Sequence, residues 1–216
     1  MRDLFSIAVL LTAAAFPATS HGGIIASFTA DGSAFLPSFI SVGQTVDVPL
    51  YLRQTDPNTE LTSPGLLLAG LGVSFSPSGI VNVTSGSFGP GWNSLFSSVT
   101  FDNFAGTSAI QSGVGFGDPA VTETGGSILV GTLMFTGVSA GTALLTLGDA
   151  DSGFEEILDG NGNVLDGSII FDTTTSITVT SSAVPEPSSL AALGVIGALA
   201  AVFGVRRARG SHVLAA

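Results

Sequence analysis

Apolar and polar residues alternate along much of the middle of the chain, which is typical of strands with one buried face. In residues 45–53, Val46, Val48, Leu50 and Leu52 share one side. The same period of two recurs in further segments, which we predict to be strands: 69–76 with Leu71, Val73 and Phe75 inward, 80–84, 128–136 with Leu129, Leu133 and Phe135 inward, the segment of Ala143, Leu145 and Leu147, and 176–180 with Ile177 and Val179 inward.

Turn-forming residues separate these segments, at 41–44, 56–58, 76–79, 124–126, 139–141 and 159–163. Short strands with repeated turns predict an all-β, antiparallel β-sandwich. The looser stretch 86–117 is expected to add strands and one long loop. The central region, 21–183, has about 160 residues, enough to bury one hydrophobic core without disulfides.

The N-terminus has the pattern of a secretory signal peptide over residues 1–20. Arg2 and Asp3 precede an apolar stretch, 4–16, and Ala18 and Ser20 are small residues before a cleavage point at His21. The apolar stretch is short for a transmembrane helix. A buried first helix is the alternative interpretation.

The C-terminus combines Pro185-Glu186-Pro187, an uncharged run at 190–205, and the basic residues Arg206, Arg207 and Arg209. We predict a transmembrane helix at 190–205, because snorkelling arginines extend its reach across a hydrocarbon core of about 30 Å. Positive residues stay on the cytoplasmic side, so the preceding region is expected outside and 210–216 is expected to be a cytoplasmic tail.

This order of parts, over 184–209, resembles the PEP-CTERM sorting signal of Gram-negative bacteria. The resemblance implies export, a transient membrane anchor, and processing near Pro185, Glu186 and Pro187 by an exosortase-type enzyme. It also implies an organism that makes extracellular polysaccharide, with the protein ending at the cell surface or outside the cell. An ordinary single-pass anchor is the alternative.

The central region is similar to the cohesin and carbohydrate-binding-module superfamily. The matching stretches are Ser41-Val42-Gly43-Gln44 with the strand to Leu50, then 70–78, 131–135 and 176–179. The resemblance implies a jelly-roll or cohesin-like β-sandwich. Ser76 stands before Pro77 where many such domains have Asp, and no dockerin-type calcium repeat is present, so the cohesins' dockerin partner is not part of the prediction.

Composition removes several classes of function. The 216-residue chain has no cysteine, and its formal net charge is -11. Residues 21–183 contain one base, Arg53, against fourteen acids. Such a chain lacks the basic footprint of nucleic-acid binding, and it has no disulfide or thiolate chemistry. The histidines, His21 and His212, lie outside the predicted strands, which argues against Ser-His-Asp catalysis and a His-based zinc site.

Paired carboxylates, as in glycosidases, are the remaining route to catalysis. No spacing places two of them across a cleft, so we predict no catalytic residues and no enzyme activity. The acids considered are Asp102, Glu123, Asp149, Asp151, Glu155 and Glu156.

An acidic segment near the C-terminal side of the domain offers a calcium hypothesis. Asp159, Asn161 and Asn163 alternate like the start of a calcium loop, and Asp149, Asp151 and Asp166 are the other candidate ligands. Val164 and Ile170 occupy the positions of the EF-hand glycine and glutamate, so this is not an EF-hand. The alternative is a hairpin turn between 156–158 and 163–165, with no cofactor.

Trp92, with Tyr51, Phe88 and Phe96, is the candidate sugar-stacking platform. The alternative is that Trp92 packs in the protein, and most of the fifteen phenylalanines are expected in the core.

Taken together, these features of the sequence favour an exported, non-catalytic structural or adhesive protein of the polysaccharide matrix. A carbohydrate-binding module is the second interpretation, and a polysaccharide-processing enzyme is a distant third.

Overall fold

A computed structural model describes residues 23–33, 38–55, 60–123, 125–150, 157–171, 173–181 and Val195. Within these residues the chain forms twelve strands and two short 3-10 helices, Ser94–Phe96 and Asp166–Ser168. The strands are β1 Ile24–Ser27, β2 Ser38–Ser41, β3 Thr45–Gln54, β4 Leu66–Ser76, β5 Val81–Phe88, β6 Ser98–Asp102, β7 Thr107–Gly113, β8 Ser127–Gly137, β9 Gly141–Gly148, β10 Leu158–Asp159, β11 Ile169–Ile170 and β12 Thr174–Thr180.

The strands form the two sheets of a β-sandwich. One sheet has the order β11-β1-β3-β8-β5, and the other has the order β2-β12-β9-β4-β7-β6, with β10 paired to the start of β4. Among the described strands, all pairings are antiparallel except two: β1 with β11, and β2 with β12. The predicted antiparallel sandwich is therefore confirmed, with two short parallel pairings at its edges.

The hydrophobic core lies between the sheets, and it contains the alternating residues on which the strand predictions rest. Leu50 and Leu52 of β3, and Leu71 and Val73 of β4, are all at most 1% exposed. A strand with one face in the core must alternate in this way, because successive side chains point to opposite faces.

Leu129 is a correction to the predicted inward face of β8. The register between β3 and β8 shifts between Leu50 and Tyr51, which pair with Gly131 and Leu129, so Val130 is an extra residue in the ladder. This bulge puts Ile128 and Val130 in the core, whereas Leu129 is half-buried beside Tyr51.

The stretch 86–117 supplies the end of β5, the 3-10 helix Ser94–Phe96, and strands β6 and β7, as predicted in outline. Strands β1, β2 and β11 are additions that the sequence did not predict, and β10 lies where the hairpin alternative at 156–158 expects a strand. Each has four residues or fewer, which is too short for alternation to be visible.

Several sequence predictions lie outside the described residues: the signal peptide 1–20, the motif 184–209 with its arginines, and the tail 210–216. Of the predicted transmembrane segment, 190–205, the structure describes Val195, which is helical. Among the described residues, no helix is both long enough and apolar enough to cross a membrane.

Candidate functional site

The turn after β10 is organised around the carboxylate of Asp159. Its Oδ1 accepts the backbone N–H groups of Asn161 at 2.8 Å and Asn163 at 2.7 Å, and its Oδ2 accepts Nδ2 of Asn163 at 2.7 Å. The N–H of Asp159 donates to Asn163 O, and Leu158 bridges to Val164. Both carboxylate oxygens thus hold the turn closed, as the hairpin alternative expects.

Asp159 is 4% exposed, and its pKa is lowered nevertheless. Burial acts to raise the pKa, but the hydrogen bonds from the Asn163 side chain and from the backbone of Asn163, Asn161 and Gly162 together outweigh burial. The carboxylate is therefore ionised at neutral pH because the turn solvates it with N–H donors.

Replacing Asp159 by alanine is expected to lower the free energy of unfolding by about 2–3 kcal/mol at pH 7, because three hydrogen bonds to a charged group are lost. Asp159→Asn keeps an acceptor for the backbone and should lose about 1 kcal/mol. Urea unfolding measures both values.

The contribution of Asp159 to the free energy of unfolding depends on pH with a definite sign. A carboxyl group with a lowered pKa stabilises the fold above its unfolded pKa, about 3.9, and this contribution is lost as the pH falls through the folded value. The loss between pH 5 and pH 2 should be smaller in Asp159→Asn than in the unaltered chain. Equal losses in both proteins would contradict the assigned role of Asp159.

The structure describes three of the four calcium ligands predicted from the sequence, Asp149, Asp159 and Asp166. Among the described residues no group of three or more His, Cys, Asp or Glu side chains could hold a metal ion. Asp166 begins the 3-10 helix, Asp149 follows β9, and Asp151 lies outside the described residues. Calcium binding stays a prediction, and titration with millimolar calcium monitored by calorimetry is its test.

Trp92 lies in the hydrophobic core with 9% of its surface exposed. Its Nε1 donates to the backbone oxygen of Leu129 at 2.9 Å. A stacking platform for sugars needs an open ring face, so this position favours the packing alternative and gives no support to a glycan contact. Tyr51 and Phe88 are half-buried, and Phe96 is 46% exposed.

The expectation that most phenylalanines are in the core needs correction within the described residues. Three are buried there: Phe28, Phe75 and Phe135. Five are exposed: Phe39, Phe96, Phe101, Phe104 and Phe116. Phe96 and Phe116 contact each other edge to face, with ring centroids 5.7 Å apart. Exposed and buried phenylalanines could not be told apart in the sequence, because the exposed rings lie in loops, a 3-10 helix or edge strands where alternation is weak.

Two of the acids considered for catalysis have structural hydrogen bonds. Asp102 Oδ1 accepts the N–H groups of Phe104 and Ala105, both at 3.0 Å, in the turn between β6 and β7. Glu123 Oε1 accepts the Thr62 hydroxyl at 2.5 Å. These contacts give both carboxylates a role in holding loops. Glu155 and Glu156 lie outside the described residues.

A cleft of about 450 Å³ beside β1 and β3 is a site that the sequence did not predict. It is bordered by a guanidinium, hydroxyl groups and apolar side chains: Ile25, Ser27, Gly32, Ser33, Arg53, Ile170, Thr173 and Thr174. The pairing of Ile25 with Arg53, and of Ile24 with Ile169, brings these strands to one edge of the five-stranded sheet. The available signal was the single base, Arg53, in a region with fourteen acids.

Residues 183–208 match the family model of the PEP-CTERM protein-sorting motif. The predicted resemblance of this segment is therefore confirmed, and the motif indicates an exported protein with a membrane-anchored intermediate. No curated protein matches the chain in sequence.

Solved cohesin structures resemble the described fold. The third cohesin of ScaC from Acetivibrio cellulolyticus, solved with the ScaB dockerin, is 13% identical over 72% of this chain and 98% of that chain, with a TM-score of 0.52. The Coh-OlpC–Doc435 complex from Clostridium thermocellum gives 11% identity, coverage of 74% and 96%, and a TM-score of 0.51.

The seventh ScaB type I cohesin of Pseudobacteroides cellulosolvens is 14% identical over 76% of this chain and 95% of that chain, with a TM-score of 0.50. At these identities the similarity concerns the fold. The chain thus has a cohesin-like β-sandwich, as the resemblance in the sequence implies.

Proposed function

We propose that this exported protein is a non-catalytic structural or adhesive component of a polysaccharide matrix at the cell surface. Its C-terminal segment is recognised and processed by an exosortase-type enzyme after a transient stage in the membrane. The observation that carries the proposal is the sorting motif at 183–208, placed behind a β-sandwich. A motif of this kind directs the export and processing of the chain, and the β-sandwich is the exported domain.

The β-sandwich supports a binding or structural role. Asp102 and Glu123, two of the acids considered for catalysis, are engaged in loop contacts. The solved cohesins with dockerins share only the fold with this chain, at 11–13% identity, so a dockerin is not part of the proposal.

Carbohydrate binding is the second candidate function, favoured by the cleft that contains Arg53. It differs from a purely structural role because it requires selective affinity for one class of saccharide. Polysaccharide processing is the third candidate, and release of reducing ends from matrix polysaccharide by the purified protein would be its sign.

The sorting role is tested by replacing Pro185, Glu186 and Pro187 with alanine in a host that has the processing enzyme. We expect the altered protein to remain in the membrane fraction at its unprocessed mass, whereas the unaltered protein is shortened and leaves that fraction. Alanine at Ser188 and Ser189, directly after the motif, is the matched control and should leave processing intact.

Fractionation followed by mass spectrometry measures both properties. Normal processing and release of the Pro185/Glu186/Pro187 variant would refute the sorting role. Loss of processing in both variants would indicate a general effect of the segment instead of recognition of the motif, and it would also count against the proposal.

A further inference from the structure

Arg53 is the one base of residues 21–183, and its guanidinium has no hydrogen-bond or ion-pair partner among the described residues. Its Nε–H is buried and has no hydrogen-bond acceptor, and among the described residues no hydrogen bond or ion pair involves its guanidinium. In a region with fourteen acids this is unusual, because buried donors are nearly always paired. Burying part of a charged group costs free energy, which an anionic partner would offset.

The guanidinium is held in place by close packing against Gly32. A Cβ added at Gly32 would lie 2.7 Å from Nε and would overlap the other guanidinium atoms. Gly32 has a φ of +71°, so both its conformation and its lack of a side chain suit this contact. Because Nε is buried, the terminal nitrogens are the donors that remain for a ligand in the cleft.

The surroundings of Arg53 have the chemistry of a saccharide site. Ser33, Thr173 and Thr174 provide hydroxyl groups along the cleft, and Ile25 and Ile170 provide apolar surface. The Thr173 hydroxyl already donates to Ala26 O at 2.8 Å, so it can only accept from a ligand. Ile170 is 48% exposed. Sugars present hydroxyl groups and an apolar C–H face together, and a volume of about 450 Å³ lies within the range of small-ligand sites, about 300–1,000 Å³.

We infer that this cleft binds a carboxylate-bearing saccharide, with Arg53 pairing to the carboxylate. The planar guanidinium matches a carboxylate through two parallel hydrogen bonds, which would supply the partner that Arg53 lacks. The hydroxyl groups and isoleucines then contact the sugar ring. The inference deepens the proposed function, on which it rests for the presence of saccharides around the exported protein.

Asp31 directly precedes Gly32 in the sequence, so its carboxylate is a negative charge close to the Gly32 contact. The Ser33 side chain and then the Ser33 N–H lower the pKa of Asp31 by hydrogen bonding, so this carboxylate is ionised at neutral pH. It does not border the cleft. Its charge is expected to oppose an anionic ligand moderately and thereby to limit affinity.

The test is calorimetric titration of the full-length protein in a non-ionic detergent with a galacturonate trimer, its neutral methyl ester, and acetate. We expect binding of the trimer and at least tenfold weaker binding of the ester and of acetate. Equal binding of the trimer and the ester would overturn the role of the carboxylate. Acetate binding as tightly as the trimer would show that the site recognises a carboxylate alone, and it would overturn the proposed contacts with the sugar ring.

Variants test the assigned contacts. Arg53→Gln should weaken trimer binding at least about tenfold, and Arg53→Lys, which keeps the charge without the planar fork, should give an intermediate loss. Asp31→Asn should strengthen binding by about twofold to threefold. Asp47→Asn, on the exposed face of β3, changes the net charge equally and should leave affinity unchanged.

Fluorescence of Trp92 reports whether each variant is folded. If Arg53→Gln fails to fold, the two aspartate variants decide. Equal effects of Asp31→Asn and Asp47→Asn on trimer affinity would show that the trimer does not bind beside Gly32, and they would overturn the inference. Sorting is measured separately through Pro185, Glu186 and Pro187, so failure of saccharide binding with normal processing would reject this inference and leave the sorting role intact.

Discussion

Phe135→Ala is expected to lower the free energy of unfolding by about 3–5 kcal/mol. Phe135 is completely buried on β8, where its cross-strand neighbours are Val46 and Val83. Its ring meets Phe75 of the opposite sheet edge to face, with centroids 5.6 Å apart and planes at 88°. Alanine would remove this contact between the sheets and leave a cavity in a core formed by strands from both sides.

Urea unfolding followed by the fluorescence of Trp92, the only tryptophan, measures this loss. Phe104→Ala is the matched control, because Phe104 is 94% exposed in a turn and its loss should change stability by at most about 0.5 kcal/mol. A loss below 1 kcal/mol for Phe135→Ala, or equal losses for both variants, would show that the ring pair does not hold the sheets together.

The long strands could be predicted because their side chains obey one simple constraint. Val48, Leu50 and Leu52 are buried at every second position of a ten-residue strand, and a sandwich is the arrangement that buries such a face. The turn at 41–44 is equally predictable, because it contains Gly43. The structure confirms it: Gly43 has a φ of +85°, and Gln44 N donates to Ser41 O.

The bulge in β8 could not be predicted from alternation. Val130 is an extra residue opposite β3, and alternation of apolar residues continues on either side of it in a different phase. Gly131 shows why: a Cβ there would lie 2.5 Å from Ser87 O and overlap Ile110 of the other sheet. Close approach of the two sheets is a tertiary property, so the sequence alone does not reveal which glycine it requires.

The candidate sites depended on what each side chain contacts, which residue type alone does not determine. The carboxylate of Asp159 suggests a calcium ligand in the sequence, yet its oxygens hold the turn through Asn161 and Asn163. Arg53 was visible only as a lone positive charge. Its significance comes from Gly32 and from a cleft built by β1, β3, β11 and the start of β12, which are distant in sequence.

Trp92→Ala is expected to cost about 3–5 kcal/mol of unfolding free energy, because the ring fills the core beside the β8 bulge. Pairing of β5 with β8 ends at Phe88 and Gly131, and the chain beyond it is joined to the bulge by two contacts. Gly89 N donates to Val130 O, and Trp92 Nε1 donates to Leu129 O. Far-UV circular dichroism during urea unfolding measures the loss without needing tryptophan fluorescence.

Trp92→Phe separates packing from a contact with sugar. Phenylalanine retains most of the apolar volume but cannot donate to Leu129 O, so we expect a loss of about 1–2 kcal/mol from the missing hydrogen bond. Because Trp92 is 9% exposed, saccharide affinity of the folded variant should equal that of the unaltered protein. Unchanged stability together with abolished saccharide binding would reverse this assignment and make Trp92 part of the binding surface. A ring that packs in the core cannot be replaced without a loss of stability.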